Sequence, residues 1–333
     1  MKPLRTGILG CGGFANRHAE NIVAMPDLLE LVAFCDNIPE HAQAFAQKYS
    51  KNAKTYTDFH PMLEEAKLDL LVICLPPYGH TAEVEAAAAH GIHILIEKPI
   101  ALTTEQAWKM VEAAESAKIK TQVGFMFRFG AAVTELKSLI ESGKAGPVGL
   151  MSARYFCNSL HASWWRMREK SGGQLVEQVI HMVDLMRYLM GDPQTVYSIQ
   201  NNLFHRDVAD YTVEDVSGTV MGFKNGGIGV IYASNGAIPG KWINDYRVVA
   251  CNLTAEFMDA NHATFTYTGG PTLQNVSIAS DQDNYRLELL DLLKAIETDG
   301  DTRTPMREGA LSLDLALAAR RSAESAACLS RGK

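Results

Sequence analysis

Several things are missing from this sequence, and each absence narrows what it can be. No apolar run in its 333 residues approaches the roughly 20 that cross a bilayer, so no membrane partner is expected. The opening "MKPLRTGILG" has no apolar stretch of the kind that heads a secretory leader, which points to a cytoplasmic location. Positive charge is not in excess: 31 Lys and Arg stand against 38 Asp and Glu, a net charge of -7 that argues against nucleic acid as a partner. Cysteine is sparse and unpaired in pattern. Cys11, Cys35, Cys74, Cys157, Cys251 and Cys328 are scattered with no Cys-x-x-Cys pair, and three of them sit in apolar runs, as reduced core residues do. Internal repeats and low-complexity linkers are absent as well.

What is present is a chain with 47% apolar and 21% charged residues, long enough for two cores. Up to residue 123 apolar strands alternate with helical segments. "RTGILG", "LLELVAFCD", "LDLLVICLPP", "GIHILIEKPI" and "TQVGFMF" read as strands buried on both faces. Between them, Pro39 opens a helix, Asp58 caps another, and Thr103 with Gln106 forms a capping box. That grammar predicts a doubly wound parallel sheet.

From Gly124 onward the pattern changes. A helix "AAVTELKSLIESGKAG" is followed by runs with period-two alternation, among them "VSGTVMGF", "GIGVIYASN", "YRVVAC" and "ATFTYT", with a "KNGG" turn at Lys224 to Gly227. The expected fold class is therefore α/β: a Rossmann domain over 1–123, then an α+β domain over 124–333 with a large, mainly antiparallel sheet. The segment from Asn284 reads as helical.

Gly10, Gly12 and Ala15 in "GILGCGGFAN" fill the pattern G-x-G-x-x-G/A between a strand and a helix. The first glycine permits the tight turn, the second lets backbone approach a pyrophosphate, and the helix start faces its charge. Gly13 and Phe14 complete the turn. Asp36 lies 21 positions beyond Ala15 (36 − 15), at the end of the second strand, where a carboxylate meets ribose hydroxyls and repels a 2'-phosphate. No Arg or Lys stands beside it, so NAD is the expected cofactor.

In the second part, Leu175 to Met190 reads as one helix ended by Gly191 and Pro193, with Glu177, His181, Asp184 and Tyr188 on one polar stripe. Such a stripe can be a solvated face, a catalytic surface or part of a metal site. The strand "HILIE" that delivers Lys98 to its own edge leaves two readings open as well, an edge salt bridge or a cation placed at the nicotinamide end of a cleft.

Taken together, "GILGCGGFA", "CLPPYGHTAEVEAAAAHGIHILIEKPIA", "VGFMFRF", "GGQLVEQVIHMVDLMRYLMG" and "VEDVSGTVMGFKNGGIG" resemble the Gfo/Idh/MocA family, the glucose–fructose oxidoreductase and inositol dehydrogenase group. The resemblance implies an NAD-dependent dehydrogenase acting on a sugar, cyclitol or related polyol. By that resemblance Lys98, His181 and Glu177 are catalytic, Glu177 standing where the family usually has aspartate. Pro76, Pro77, His80, Glu97 and Lys98 join Asp36 and the glycine turn at the cofactor. Arg128, Trp165 and Arg166 fall near the substrate with Glu177 and His181. No metal is implied. The resemblance also implies a cis bond before Pro99 and a homo-oligomer, dimer or tetramer, formed through an open sheet face. NAD-assisted glycoside cleavage or elimination without net redox, a non-catalytic sugar sensor, and a metal-dependent isomerase or lyase stand as alternatives.

Overall fold

The computed structural model describes residues 2–331, which gather into two compact units: the chain up to Phe125 with Tyr285–Ala310, and Met126–Asn284 with the chain from Leu311 on. The first unit alternates strand and helix through β1 (Leu4–Leu9), α1 (Ala15–Val23), β2 (Leu29–Cys35), α2 (Pro39–Tyr49), β3 (Lys54–Tyr56), α3 (Phe59–Glu65), β4 (Leu70–Ile73), α4 (Glu83–Ala89), β5 (His93–Ile96), α5 (Thr104–Ser116) and β6 (Thr121–Val123). All six strands are parallel, in the order β3-β2-β1-β4-β5-β6. Every residue of β4 is buried, the mark of a strand covered on both faces. The strand order reverses between β1 and β4, which makes the carboxyl ends of those two strands the place where such a sheet takes its ligand.

Local chemistry sets the helix starts. Pro39 occupies the first turn of α2, and Asp58 caps α3 by accepting the His60 N–H at 2.9 Å. The box expected at α5 is half formed. Thr103 accepts the Gln106 N–H, but the Gln106 side chain donates to the His80 carbonyl instead of turning back.

The second unit carries α6 (Ala131–Glu141), β7 (Val148–Phe156), α7 (Arg168–Ser171), α8 (Gln174–Glu177), α9 (Ile180–Met190), β8 (Pro193–Asn201), β9 (Val216–Phe223), β10 (Ile228–Ser234), β11 (Tyr246–Ala250), β12 (Leu253–Phe257), β13 (Ala263–Tyr267) and β14 (Gln274–Ile278); after α10 (Asn284–Thr298), which belongs almost wholly to the first unit, most of α11 (Met306–Ser325) and β15 (Leu329–Ser330) return to the second. Its nine strands run β14-β13-β12-β11-β7-β10-β9-β8-β15, antiparallel except for β10 beside β7. One face is closed by Leu136 of α6, Val183 and Met186 of α9 and Leu315 of α11, packed on Met151, Met221, Val248 and Phe265.

Two features depart from the sequence expectation. Most of the helix that starts at Asn284 packs with the first unit, where Leu289 and Leu292 share a core with Ile8, Phe34 and Leu70. The chain beyond it then guards the β6 edge: Val123 donates to the Thr304 carbonyl at 2.7 Å and Thr304 Oγ1 returns a bond to the Val123 carbonyl. The second departure is that the single helix expected over Leu175–Met190 is two pieces, α8 and α9, separated by a turn at Gln178 and Val179.

Candidate active site

The dinucleotide turn is built by its glycines for two different reasons. Gly10 has φ +86°, and a Cβ there would lie 2.7 Å from the Cys74 carbonyl oxygen at the end of β4. Gly10 is therefore required by the fold itself. A Cβ at Gly12 or Gly13 would meet no protein atom within 4 Å, so packing does not explain those two glycines, and they leave the backbone open to a ligand's approach. Phe14, the residue before α1, gives that helix no side-chain cap, and its first turn holds no acid. Ala15 is fully buried and lets α1 lie close to the sheet.

Asp36 follows β2 and accepts the Cys11 N–H at 2.8 Å and the Ile38 N–H at 2.9 Å, which ties the carboxylate to the glycine turn and to the start of α2. His41 Nδ1 stands 3.4 Å from Asp36 Oδ1, a neighbour that no motif marks.

Beyond β4, Pro76 and the short turn Pro77–Gly79 lead to His80, whose Nδ1 is 2.6 Å from Glu83 Oε1 with both side chains out of water. Burial pushes the Glu83 carboxyl up, but bonds from His80 and the Thr81 N–H outweigh it and leave the group below its usual range. His80 therefore donates from Nδ1, and its Nε2 is buried without a partner in the protein, an orphaned polar atom of the kind a bound ligand satisfies. The glycines, Asp36 and His80 together fit a dinucleotide.

After β5 the Lys98–Pro99 bond is cis, as the resemblance led us to expect, and Lys98 is half-buried. Glu97, expected at the cofactor, instead turns into the fold and meets His18 of α1 at 2.7 Å.

In the second unit the candidate residues Glu177 and His181 flank the turn between α8 and α9. The Gln174 carbonyl accepts both the Gln178 and Val179 N–H groups at 3.0 Å, the second a five-residue bond that interrupts the helix just before His181. Glu177 is half-buried and its Oε2 accepts the Trp165 Nε1–H at 2.6 Å. His181 is buried, its ring 5.1 Å from that of Phe127. The expected polar stripe does not persist past this point. Asp184 is buried in a two-pronged ion pair with Arg128, at 2.8 Å from Nε and 2.6 Å from its second nitrogen, and also accepts from Ser312. Arg128 is thus committed to Asp184, and Tyr188 lies against its guanidinium. Arg166 binds the carbonyls of Leu160 and His161 and so braces the loop that carries Trp165.

His161 went unnoticed in the sequence because nothing marks a lone loop histidine. Its ring is 4.3 Å from that of Trp165, and its Nε2 is 2.8 Å from the Gln178 side-chain nitrogen. Burial, with the charges of Arg166 and His205, holds its pKa below the ordinary value against the opposing pull of Glu177.

Residues 4–125 match the oxidoreductase family described by its NAD-binding Rossmann fold, and residues 133–256 match the GFO/IDH/MocA C-terminal domain. The chain is 33% identical over 243 residues to D-glucoside 3-dehydrogenase of Escherichia coli K12, covering 68% of each chain. It is 25% identical over 329 residues to myo-inositol 2-dehydrogenase of Thermotoga maritima, covering 96% of each. A solved levoglucosan dehydrogenase in complex with NADH and levoglucosan shares the fold, with TM-score 0.90 at 20% identity over 99% of this chain and 100% of that one. The chain belongs to the Gfo/Idh/MocA oxidoreductase family, and its first unit is an NAD-binding Rossmann fold.

Proposed function

We propose that this protein is an NAD-dependent dehydrogenase of a sugar, cyclitol or related polyol, with His181 as general base, Lys98 as the cation that meets the substrate oxygen and Glu177 as the carboxylate that orients a substrate hydroxyl or the imidazole. The observation that carries the reading is a dinucleotide turn whose Gly12 serves no packing need, in a chain whose other unit sets a buried histidine and a tethered carboxylate on either side of one irregular helical turn. The names of the relatives, a glucoside 3-dehydrogenase and inositol 2-dehydrogenases, support the substrate class.

Bound NAD supplies the acceptor for the hydride that leaves the carbinol carbon. The protein's own groups handle the proton and the orientation. The neutral imidazole of His181 takes the hydroxyl proton as the C–H bond breaks, which is general-base catalysis by the side chain best matched to neutral pH. The Lys98 ammonium stabilises the negative charge that grows on the oxygen. Trp165 fixes one oxygen of Glu177, so the carboxylate presents a single orientation to its substrate-side partner. Gly10, Gly12, Gly13, Phe14 and Ala15 would hold the pyrophosphate, Asp36 the adenosine ribose, and Pro76, Pro77 and His80 would flank the cofactor.

Six cysteines without a disulfide are in keeping with a reducing cytoplasm, and an apolar open sheet face supports self-association. The functional test is a panel of polyols and sugars, including myo-inositol and simple glucosides, incubated with NAD while NADH absorbance is followed. Turnover should appear with at least one, and His181→Ala should lower it by about 10²–10⁴. A His181→Ala enzyme that turns over normally would remove the assigned base.

A further inference from the structure

The turn that presents Lys98 is anchored from behind. Glu97 is 7% exposed, and its Oε1 lies 2.7 Å from Nε2 of His18, itself 1% exposed, on the helix that opens at the dinucleotide turn. Neighbouring residues at a strand end point to opposite sides, so fixing the Glu97 side chain inward constrains where its successor emerges.

Other groups hold the pair in place. A Cβ at Gly124 would sit 2.6 Å from Glu97 Oε2, so the chain leaving β6 keeps room for this carboxylate and for little else. The His18 ring is met edge-on by Phe14 at 5.7 Å and by Tyr285 at 6.3 Å, and Arg17 lies over the Tyr285 ring. Phe14 belongs to the dinucleotide turn. One imidazole therefore joins the glycine turn, the start of the returning helix and the residue before Lys98. Hydrogen bonds to a carboxylate are the stronger class, and this one is shielded from water.

We propose that His18 and Glu97 form a latch that positions Lys98 relative to the dinucleotide turn, both acting through Lys98 and not on the substrate. The proposal rests on the role given to Lys98 above.

The test compares His18→Gln, whose amide can still reach Glu97, with His18→Leu, which fills the space but donates nothing. If His18→Leu is not recovered folded, His18→Asn, one bond too short, takes its place. In the substrate assay His18→Leu should lose about tenfold to a hundredfold in kcat, the cost of misplacing a reacting group by about 1 Å. His18→Gln should stay close to wild type. In a Lys98→Ala background His18→Leu should cost nothing further, because the group it positions is gone. A second readout needs no substrate. After reductive methylation with labelled methyl groups, the Lys98 resonance, assigned by its loss in Lys98→Arg, should move in His18→Leu and keep its place in His18→Gln.

An unmoved Lys98 resonance in His18→Leu overturns the latch, as does a kcat loss that persists in full without Lys98, or a His18→Gln as impaired as His18→Leu. Normal turnover by Lys98→Ala would instead sink the role of Lys98 in the reaction and leave the resonance to judge the latch.

Discussion

Both oxygens of Asp36 are engaged by backbone N–H groups at the glycine turn and at the start of α2. They hold its charge at the end of β2, against the glycine turn. A 2'-phosphate brought there meets a fixed negative charge. NADP should bind at least about tenfold more weakly than NAD, or roughly 1.4 kcal/mol, and Asp36→Asn should narrow the gap. Calorimetric titration giving equal affinities for the wild type would refute the assignment. Two histidines make a separate statement about pH. His93 Nδ1 accepts the Lys120 N–H at 2.9 Å, and burial together with the Lys120 charge lowers its pKa. His161 is lowered chiefly by burial. Both groups bind a proton less readily folded than unfolded, so the unfolded state gains protons first as pH falls through about 6.5 and stability drops with it. The urea midpoint should decline from about pH 7 to about pH 5, and the decline should be shallower in His93→Asn with His161→Gln, which keep acceptors but cannot charge. Parallel curves for wild type and double variant would show that these histidines do not set the slope.

At the scale of elements, the helix that carries His181 shows what local sequence can and cannot reveal. Its apolar residues Val179, Ile180, Val183 and Met186 recur in the sequence at helical spacing, and all four are buried. The break before His181 was not legible, and the start of α8 is held by a residue far along the chain. Glu214 accepts the Leu175 N–H at 2.9 Å and binds Arg168, reaching over Gly173, whose φ is +103°. A Cβ on Gly173 would stand 2.6 Å from Glu214 Oε2. Gly173→Ala should thus combine a strained backbone with a displaced buried carboxylate and cost about 1–3 kcal/mol, read as a lower urea midpoint, with turnover reduced as Glu177 and His181 shift. An unchanged midpoint would mean that the turn adapts freely. The same distance in sequence hid the Arg128–Asp184 pair, 56 residues apart, so a residue expected at the substrate holds the helix instead. Glu97 was misplaced for a like reason, since its partner His18 lies 79 residues earlier. The glycine turn was readable because all its parts are contiguous.

At the scale of the whole molecule, period-two alternation foretold a sheet with one face packed, and the other face is what remains to be accounted for. On it Tyr197 stands opposite Val220 and Val220 opposite Val230, while Ile228 and Val249 flank Leu150 in neighbouring strands. Ile199 is 62% exposed and Val220 46%, so a contiguous apolar band lies open to water across five strands. Scattered surface leucines need no explanation, but a band of this kind on a monomer does. Farther along, the face changes to ion pairs, Arg154 with Asp245 and Arg247 with Glu256. An apolar centre beside compensated charges suits an isologous contact in which one copy covers the other. The protein should sediment as a dimer or tetramer of the 36.5 kDa chain at micromolar concentration, and its melting temperature should rise with concentration. Val220→Asp with Ile228→Asp places like charges in the band without touching the packed face, so it should shift the mass toward a single chain while circular dichroism stays native. A wild-type mass near 36.5 kDa would remove the interface, and an unaltered oligomer in the double variant would move it to another surface.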